Sequence, residues 1–227
     1  MSDHALIFDR FVVDWSAKCG CTSVLKMWFE HSGQLEEALK YNKWIHKYRT
    51  FKCGHMKYIP GKTKMHNAVH VKFVRNPYSR AVSSYIHCSR TGILGTRGLT
   101  FRQFLFNYIP KRGIGSNSHY RPQHMHHGIS RYDHVIKIEH MEQGVKMLNE
   151  KYNITPPLNC AHDSAHHVTQ KQHVPEAYDI KFKDFVHDHG PFTTPTYDSF
   201  YNQEIKQQVY KLYQQDVDLY KYSYEYE

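Results

Sequence analysis

The feature that most constrains the fold is a short apolar run followed at once by a polar turn and an apolar helical stretch. Phe11–Trp15 is predicted to be a buried strand, and the turn at residues 18–23 reads Lys-Cys-Gly-Cys-Thr-Ser. A helix N-terminus offers unpaired backbone N–H groups and a partial positive charge, which together hold an anion. Gly20 lets the backbone wrap closely, Thr22 and Ser23 add hydroxyl donors, and Lys18 adds a full charge. The sequence therefore predicts an anion-binding loop.

A second anion-binding pattern follows a second strand, predicted at residues 68–74. Arg75 stands at the end of that strand, where its forked guanidinium can donate two hydrogen bonds to a phosphate. Asn76 can cap the next helix, and Pro77 suits its first position. Ser83 lies eight residues after Arg75, about two helical turns on, where its hydroxyl can point towards the same anion. Neither pattern alone is specific evidence of an anion-binding site, but their order and chemistry taken together are.

Strands alternate with helices along the chain. A third strand is predicted at residues 132–138, and apolar residues recur at helical spacing in residues 23–31, 35–48, 78–86, 101–108, 141–152 and 205–220. Residues 155–198 hold five of the nine prolines and show no clean period, so we expect an extended connection there. The alternation predicts an α/β fold, with a central parallel sheet flanked by helices in a single domain over residues 1–227.

The chain is basic. Its 30 Lys and Arg against 21 Asp and Glu give a net charge of +9, and the 19 histidines would add charge in mild acid. An excess of this size favours a polyanionic partner, such as nucleic acid, a phosphate-rich cofactor, an acidic glycan or an anionic lipid surface. No stretch approaches the roughly 18 consecutive apolar residues of a membrane-spanning helix. Composition therefore predicts an anionic partner without choosing among these classes.

The cysteines and histidines do not form a convincing metal-binding pattern. Free thiols are expected for the five scattered cysteines, Cys19, Cys21, Cys53, Cys88 and Cys160. The first two stand too close together for a pair of zinc-finger ligands. Histidines cluster at residues 124–127 and 162–167, but such spacing arises by chance in a histidine-rich chain, and no cysteine pair completes either set. We expect structural or surface roles for them, and no metal.

Together these motifs resemble those of the Golgi-type carbohydrate sulfotransferases. Residues 18–23 resemble the 5′-phosphosulfate loop of that family, and Arg75 through Ser83 resembles its 3′-phosphate motif. Residues 119–123, His-Tyr-Arg-Pro-Gln, look like the His-aromatic-x-Pro stretch of the chondroitin-type members. Residues 132–139 resemble a family strand that begins with Tyr-Asp and ends in Glu, and residues 213–222 are similar to the final helix. The resemblance spans nearly the whole chain in the right order.

The resemblance implies the P-loop-like sulfotransferase fold and the donor 3′-phosphoadenosine 5′-phosphosulfate, with no metal. Lys18 would contact the 5′-phosphosulfate and stabilise charge on the departing bridging oxygen. Arg75 and Ser83 would hold the 3′-phosphate. The reaction would be an in-line transfer of a sulfuryl group to a hydroxyl, which leaves 3′-phosphoadenosine 5′-phosphate. Backbone and hydroxyl donors of the loop would cradle the 5′-phosphate, from Cys19, Gly20, Cys21, Thr22 and Ser23.

A base must take the proton of the acceptor hydroxyl. His55 is the first choice, because Gly54-His55 resembles the Gly-His segment upstream of the 3′-phosphate motif in the uronyl 2-O-sulfotransferases, where the histidine is catalytic. His119 is the rival, and Glu139 is the third candidate. For Glu139 an equally good alternative is that it holds the second strand-end loop in place.

The expected acceptor is a carbohydrate hydroxyl, and the basic surplus favours an acidic saccharide over a lipid or small molecule. Residues 155–198 are a candidate acceptor-binding region. A P-loop phosphotransferase is disfavoured, because neither a Walker A lysine nor an acidic magnesium site is visible. A non-catalytic basic module for glycan or nucleic acid is the other alternative, and its binding would be strongly salt-dependent and would not need Lys18.

The expected location follows from the start of the sequence. The family members that the chain resembles are luminal proteins with a membrane anchor and disulfides. This sequence begins Met-Ser-Asp-His, without a visible secretory signal, and its first predicted strand follows closely. We therefore expect a compact microbial or viral relative in the cytoplasm, or a Golgi enzyme if this is a trimmed catalytic domain.

Overall fold

A computed structural model describes residues 5–59, 62, 65, 67–125, 132–160, 171–188 and 194–224. Contacts along the chain divide it into two compact units. Unit 1 comprises residues 1–75 and 126–164, and unit 2 comprises residues 76–125 and 165–227. The organisation as a single domain stays a prediction, and each unit has its own core.

A four-stranded sheet forms the centre of unit 1. Strands β2, β3 and β4 run parallel, and β1 pairs antiparallel with β2 at one edge. The predicted α/β fold with a central parallel sheet is thereby confirmed. The sequence did not predict β1, because three residues are too few to show a period. In order across the sheet the strands are β1 (Leu6–Phe8), β2 (Phe11–Trp15), β3 (Val69–Val74) and β4 (His134–Lys137).

The helices of unit 1 bury apolar side chains against one face of this sheet. Val13 of β2 and Val71 of β3 belong to the same buried cluster as Trp28 and Leu148, which lie on helices. Alternate residues of a strand point to opposite faces, so this face takes every second strand residue. The helices of unit 1 are α1 (Cys21–His31), α2 (Leu35–Tyr41), α3 (His46–Phe51) and α7 (Met141–Tyr152).

The prediction of one helix over residues 35–48 is wrong, because the chain forms α2 and α3 there instead. Asn42 ends α2 with extended backbone angles, φ −162° and ψ 133°. Its side-chain oxygen accepts a hydrogen bond from the N–H of Trp44 at 2.9 Å. Asparagine side chains compete with the helical hydrogen-bond ladder in this way, and α3 therefore starts afresh at His46.

The opposite face of the sheet carries a buried ion pair. Asp14 and Lys72 are register partners in β2 and β3, and Lys72 Nζ lies 3.0 Å from Asp14 Oδ2. The hydroxyl of Tyr132 donates to the same carboxylate oxygen at 2.5 Å. Both charged side chains are only 2% exposed. Because a buried charge is costly without its partner, the pair favours this register over a slip of β2 against β3.

The third predicted strand is shorter than residues 132–138. Asp133 stays outside β4, and its carboxylate accepts a hydrogen bond from the backbone N–H of His70 at 2.9 Å. At the other end, Ile138 starts a 3₁₀ turn, Ile138–His140, that leads into α7. β4 therefore has four residues, His134–Lys137.

Unit 2 is mainly helical. As predicted, Asn76 caps α4 (Pro77–Thr91) by accepting a hydrogen bond from the N–H of Tyr78 at 2.9 Å, and Pro77 occupies the first turn. Thr100 and Gln103 form a capping box at the start of α5 (Phe101–Gln103). That helix continues through a π-helical stretch, Phe104–Tyr108, into α6 (Ile109–Arg112). The remaining helices are α8 (Phe182–Asp188) and α9 (Gln203–Tyr220).

Residues 155–198 contain more regular structure than the predicted extended connection. β5 (Lys171–Gln172) pairs in parallel with β6 (Thr194–Pro195), and α8 lies between them in sequence. Among its described residues the connection is therefore not extended throughout, and these elements are too short to show a periodic pattern. Residues 161–170 and 189–193 of this segment lie outside the described residues.

All five cysteines are free, as predicted. Within the described part of the chain, no helix is both long and apolar enough to cross a bilayer.

Lys72→Met should lower the free energy of unfolding by about 3 to 5 kcal/mol, because it leaves the Asp14 carboxylate buried without its cation. Denaturant unfolding measures this change. Lys146→Met is the control, since Lys146 is an exposed partner of Glu150, and it should change stability by less than about 0.5 kcal/mol. Equal losses in the two variants would contradict a special role for the buried pair.

Candidate functional site

The predicted anion-binding loop lies between β2 and α1. Gly20 is the N-cap residue of α1, with left-handed angles φ 66° and ψ 23°. Glycine adopts these angles without steric cost. It has no side chain to cap the helix, and the first turn of α1 contains no acidic residue. The positive end of the α1 dipole therefore lies at this loop, and no acidic residue of the first turn offsets it.

Lys18 occupies a strained backbone conformation within this loop. Its φ is 70°, in the left-handed region, which costs a residue with a Cβ atom about 1 to 2 kcal/mol. The turn is closed by a hydrogen bond from the N–H of Cys19 to the carbonyl of Ser16 at 3.1 Å. Cys19 is fully buried, whereas Lys18 is half-buried. Strain of this kind concentrates at functional sites, and its presence here favours a functional role for Lys18.

Arg75 contacts the loop directly. One terminal nitrogen of its guanidinium donates a hydrogen bond to the carbonyl of Lys18 at 3.1 Å. The contact exists because β2 and β3 are parallel neighbours, so the loop after β2 and the residue after β3 meet at the same edge of the sheet. Lys18 and Arg75, 57 residues apart in sequence, are thus brought together in unit 1.

A histidine that the sequence analysis did not single out also contacts the loop. His46, the first residue of α3, places Nε2 3.2 Å from the hydroxyl oxygen of Thr22. It is half-buried, and its ring centroid lies 5.6 Å from that of Trp44. Nothing in the sequence distinguished it among 19 histidines. The break between α2 and α3, which sets its position, was itself not predicted.

His55 and Glu139, two of the candidate bases, both lie exposed in 3₁₀ turns of unit 1. The residue before Glu139, Ile138, packs beside the loop: a Cβ atom added at Gly20 would lie 3.5 Å from its Cγ2 atom. Near His55, burial raises the pKa of the Cys53 thiol to about 11, so this thiol is protonated at neutral pH. Cys53 is therefore a packing residue, and His55 presents its ring to solvent.

The remaining predicted site residues lie in unit 2. Ser83 is a half-buried residue of α4. His119 has Nδ1 2.9 Å from Asn117 Oδ1, and its ring stacks on His87 with 4.2 Å between centroids. His119, the rival candidate base, is therefore held by hydrogen bonding and stacking within this unit.

Two residues of the final helix hold the segment that contains His119. Buried Asp216 accepts hydrogen bonds from the backbone N–H groups of Gln123 at 2.6 Å and His124 at 2.7 Å. Tyr213 donates its hydroxyl to the carbonyl of Tyr120 at 2.8 Å, and burial raises its pKa so that it remains a donor. No individual role was predicted for Asp216. Nevertheless, two family-like segments, residues 119–123 and 213–222, are joined here.

Arg80 and the first histidine cluster can be described in unit 2. Arg80 is buried, at 1% exposure, and donates to the carbonyl of Ser118 at 3.4 Å, which makes it an internal partner and not a surface charge. Of the first histidine cluster, His124 binds Asp216 through Nδ1 at 2.8 Å. The other members of both clusters, His126, His127, His162, His166 and His167, lie outside the described residues. Among the described residues, no three His, Cys, Asp or Glu side chains are grouped as metal ligands would be.

A family model for the sulfotransferase family matches residues 17–223 of the chain. The match starts one residue before Lys18 and continues beyond the end of α9. The chain belongs to the sulfotransferase family. Neither a curated protein nor a solved structure matches it. Assignment of this sulfotransferase to the Golgi-type carbohydrate group stays a prediction, and so do the roles of the individual site residues.

Lys18→Gly should be about 1 kcal/mol more stable than Lys18→Ala, because glycine relieves the left-handed strain and alanine does not. Denaturant unfolding of both variants measures the difference. The same pair of substitutions at Lys146, inside α7, is the control, and there glycine should be about 1 kcal/mol less stable than alanine. If glycine is the less stable variant at both positions, Lys18 is not strained in the folded protein.

Proposed function

We propose that this sulfotransferase moves a sulfuryl group from 3′-phosphoadenosine 5′-phosphosulfate to a hydroxyl of a carbohydrate acceptor. The observation that carries the proposal is the hydrogen bond from Arg75 to the Lys18 carbonyl at 3.1 Å. It joins the loop that resembles the family's 5′-phosphosulfate loop to the arginine that resembles its 3′-phosphate ligand. The donor is negatively charged at its 5′-phosphosulfate and at its 3′-phosphate. This one contact therefore brings together Lys18 and Arg75, the two cations that we expect to bind these groups.

The loop fits a phosphosulfate group in its chemistry. α1 has 11 residues, so its dipole is fully developed, and its N-terminus has neither a capping side chain nor an acidic residue. Thr22 and Ser23 supply hydroxyl donors in the first turn, and Lys18 supplies a positive charge beside it. At the other motif, Arg75 supplies a planar guanidinium suited to a phosphate. By its position in the family motif, Ser83 is the second proposed ligand of the 3′-phosphate.

The reaction needs charge stabilisation and position rather than a resident redox group. As the acceptor oxygen forms its bond to sulfur, the bond from sulfur to the bridging oxygen of the donor breaks, and Lys18 neutralises the charge that develops on that oxygen. The proton of the acceptor hydroxyl passes to a base. His46 keeps Thr22 in place through its 3.2 Å contact and so acts as a positioning residue.

We assign the base to His55. Its side chain is exposed in the 3₁₀ turn Cys53–Met56, where an acceptor hydroxyl can approach it. By contrast, one ring nitrogen of His119 already lies 2.9 Å from the side-chain oxygen of Asn117, and the ring stacks on His87. Glu139 is the remaining alternative, because it follows Ile138 at the edge of the loop.

A transfer assay with the labelled donor and a panel of acidic and neutral polysaccharides tests the function. Lys18→Ala should lower kcat by about 10² to 10³-fold, because it removes a cation that acts on charge in the transition state. Arg75→Ala should mainly weaken donor binding, by roughly tenfold or more, because a charge-assisted hydrogen bond to phosphate is lost. Lys146→Ala, an exposed lysine on α7, is the control and should keep full activity. Full activity in both site variants would show that the assignment is wrong.

His55→Ala should lower kcat by about 10² to 10⁴-fold and leave the affinity for 3′-phosphoadenosine 5′-phosphate within about twofold, since a base acts on the acceptor and not on the nucleotide. His119→Ala and Glu139→Ala, measured alongside, should retain most of kcat. If His55→Ala is fully active and His119→Ala is not, the base is His119.

A further inference from the structure

The charges of the chain are segregated along the sequence. Between Ala38 and Tyr132, 95 consecutive residues contain 18 Lys and Arg and no Asp or Glu. The other 132 residues hold all 21 acidic side chains and only 12 basic ones. The net charge of +9 therefore understates the local positive charge. In unit 1 this acid-free stretch covers α3, β3 and the end of α2.

The segment from α2 to α3 presents this charge to solvent together with aromatic rings. Trp44 is 43% exposed, Tyr41 is 44% exposed and Phe51 is 68% exposed. Exposed apolar side chains scattered singly are ordinary, but three aromatic rings within 11 residues form a concentrated apolar surface. We call it the α2–α3 surface, and its exposed members are Lys40, Tyr41, Lys43, Trp44, Lys47, Phe51 and Lys52.

Trp44 is held in place beside two of these lysines. The backbone N–H of Trp44 donates a hydrogen bond to Asn42 Oδ1 at 2.9 Å, and its backbone carbonyl accepts one from the backbone N–H of Lys47 at 2.9 Å. The exposed residues Lys43 and Lys47 therefore belong to the same short segment as Trp44, one directly before it and the other one turn after it. Lys40 differs, because Glu36 and Glu37 stand one helical turn before it in α2. Lys43 and Lys47, which stand on either side of Trp44 in the sequence, therefore lack the acidic neighbours that Lys40 has one helical turn before it.

The same surface reaches the anion-binding loop. The indole of Trp44 lies 5.6 Å from the His46 ring, centroid to centroid, and His46 Nε2 lies 3.2 Å from the Thr22 hydroxyl. Two side-chain contacts thus connect an exposed aromatic ring to the loop where the sulfuryl group is expected. An acceptor must place one hydroxyl at that loop while the rest of the molecule rests on nearby surface.

We infer that the α2–α3 surface binds the acceptor, and that the acceptor is an acidic saccharide. A sugar ring offers an apolar C–H face that packs on an indole, and carboxylate or sulfate groups pair with lysines. Trp44, Lys43 and Lys47 supply both. The inference rests on the proposed function for the direction of approach, but the surface itself is defined by exposure, charge and contacts within unit 1.

Binding of fluorescent chondroitin sulfate, followed by anisotropy at about 0.15 M salt, tests this surface. Trp44→Ala and the pair Lys43→Glu/Lys47→Glu should each weaken binding by at least about tenfold, because each removes one of the two kinds of contact. The control pair Lys146→Glu/Lys151→Glu reverses two exposed charges on α7 and should weaken binding by less than about threefold. Trp44→Phe keeps an aromatic face and should bind more tightly than Trp44→Ala.

Three results would overturn the inference. Equal losses in the two charge-reversal pairs would show unspecific attraction, and unchanged binding in Trp44→Ala would show that the indole is not a contact. Single-stranded DNA that binds as tightly, with the same dependence on Trp44, would make this a nucleic-acid surface. Calorimetry with 3′-phosphoadenosine 5′-phosphate separates this inference from the proposed function. The surface variants should bind the nucleotide within about twofold of the unmodified protein. If the unmodified protein does not bind the nucleotide, the proposed function is refuted, and the polysaccharide result alone decides whether the surface binds an acidic saccharide.

Discussion

The parallel pairing of β2 with β3 is the constraint on which the anion-binding part of unit 1 depends. It brings the residues that follow the two strands to one edge of the sheet, so that Arg75 reaches the carbonyl of Lys18. The buried pair of Asp14 and Lys72 lies within these same strands and opposes any slip between them. A shift of one residue would move both Arg75 and the loop partner that it contacts.

The loop carries two costs to stability. Lys18 is strained at φ 70°, and α1 begins without a side-chain cap or an acidic residue. A chain selected for stability alone would place glycine at position 18 and an acidic residue in the first turn of α1. Both departures leave positive charge directed at one place. The proposed function would give this arrangement its reason, because an anionic donor bound at the loop would offset the cost.

Local signals predicted much of this fold, and contacts distant in sequence account for what was missed. Asn76 with Pro77 predicted the start of α4, because capping acts within four residues. The sequence also located the loop and Arg75. It gave no sign that Lys72 would be buried, since its partner lies 58 residues away, or that His46 would meet Thr22. The contact between His46 and Thr22 depends on the break of the expected helix at Asn42. A single hydrogen bond to the Asn42 side chain accompanies that break.

The central claim is that Lys18 and Arg75 bind the two phosphate ends of one nucleotide. Calorimetric titration with 3′-phosphoadenosine 5′-phosphate, compared with adenosine 5′-monophosphate and ATP, tests it most directly. The account predicts binding that requires the 3′-phosphate and that is lost in Arg75→Ala. Equal affinity for all three nucleotides, or binding of 3′-phosphoadenosine 5′-phosphate that survives Arg75→Ala unchanged, would contradict it.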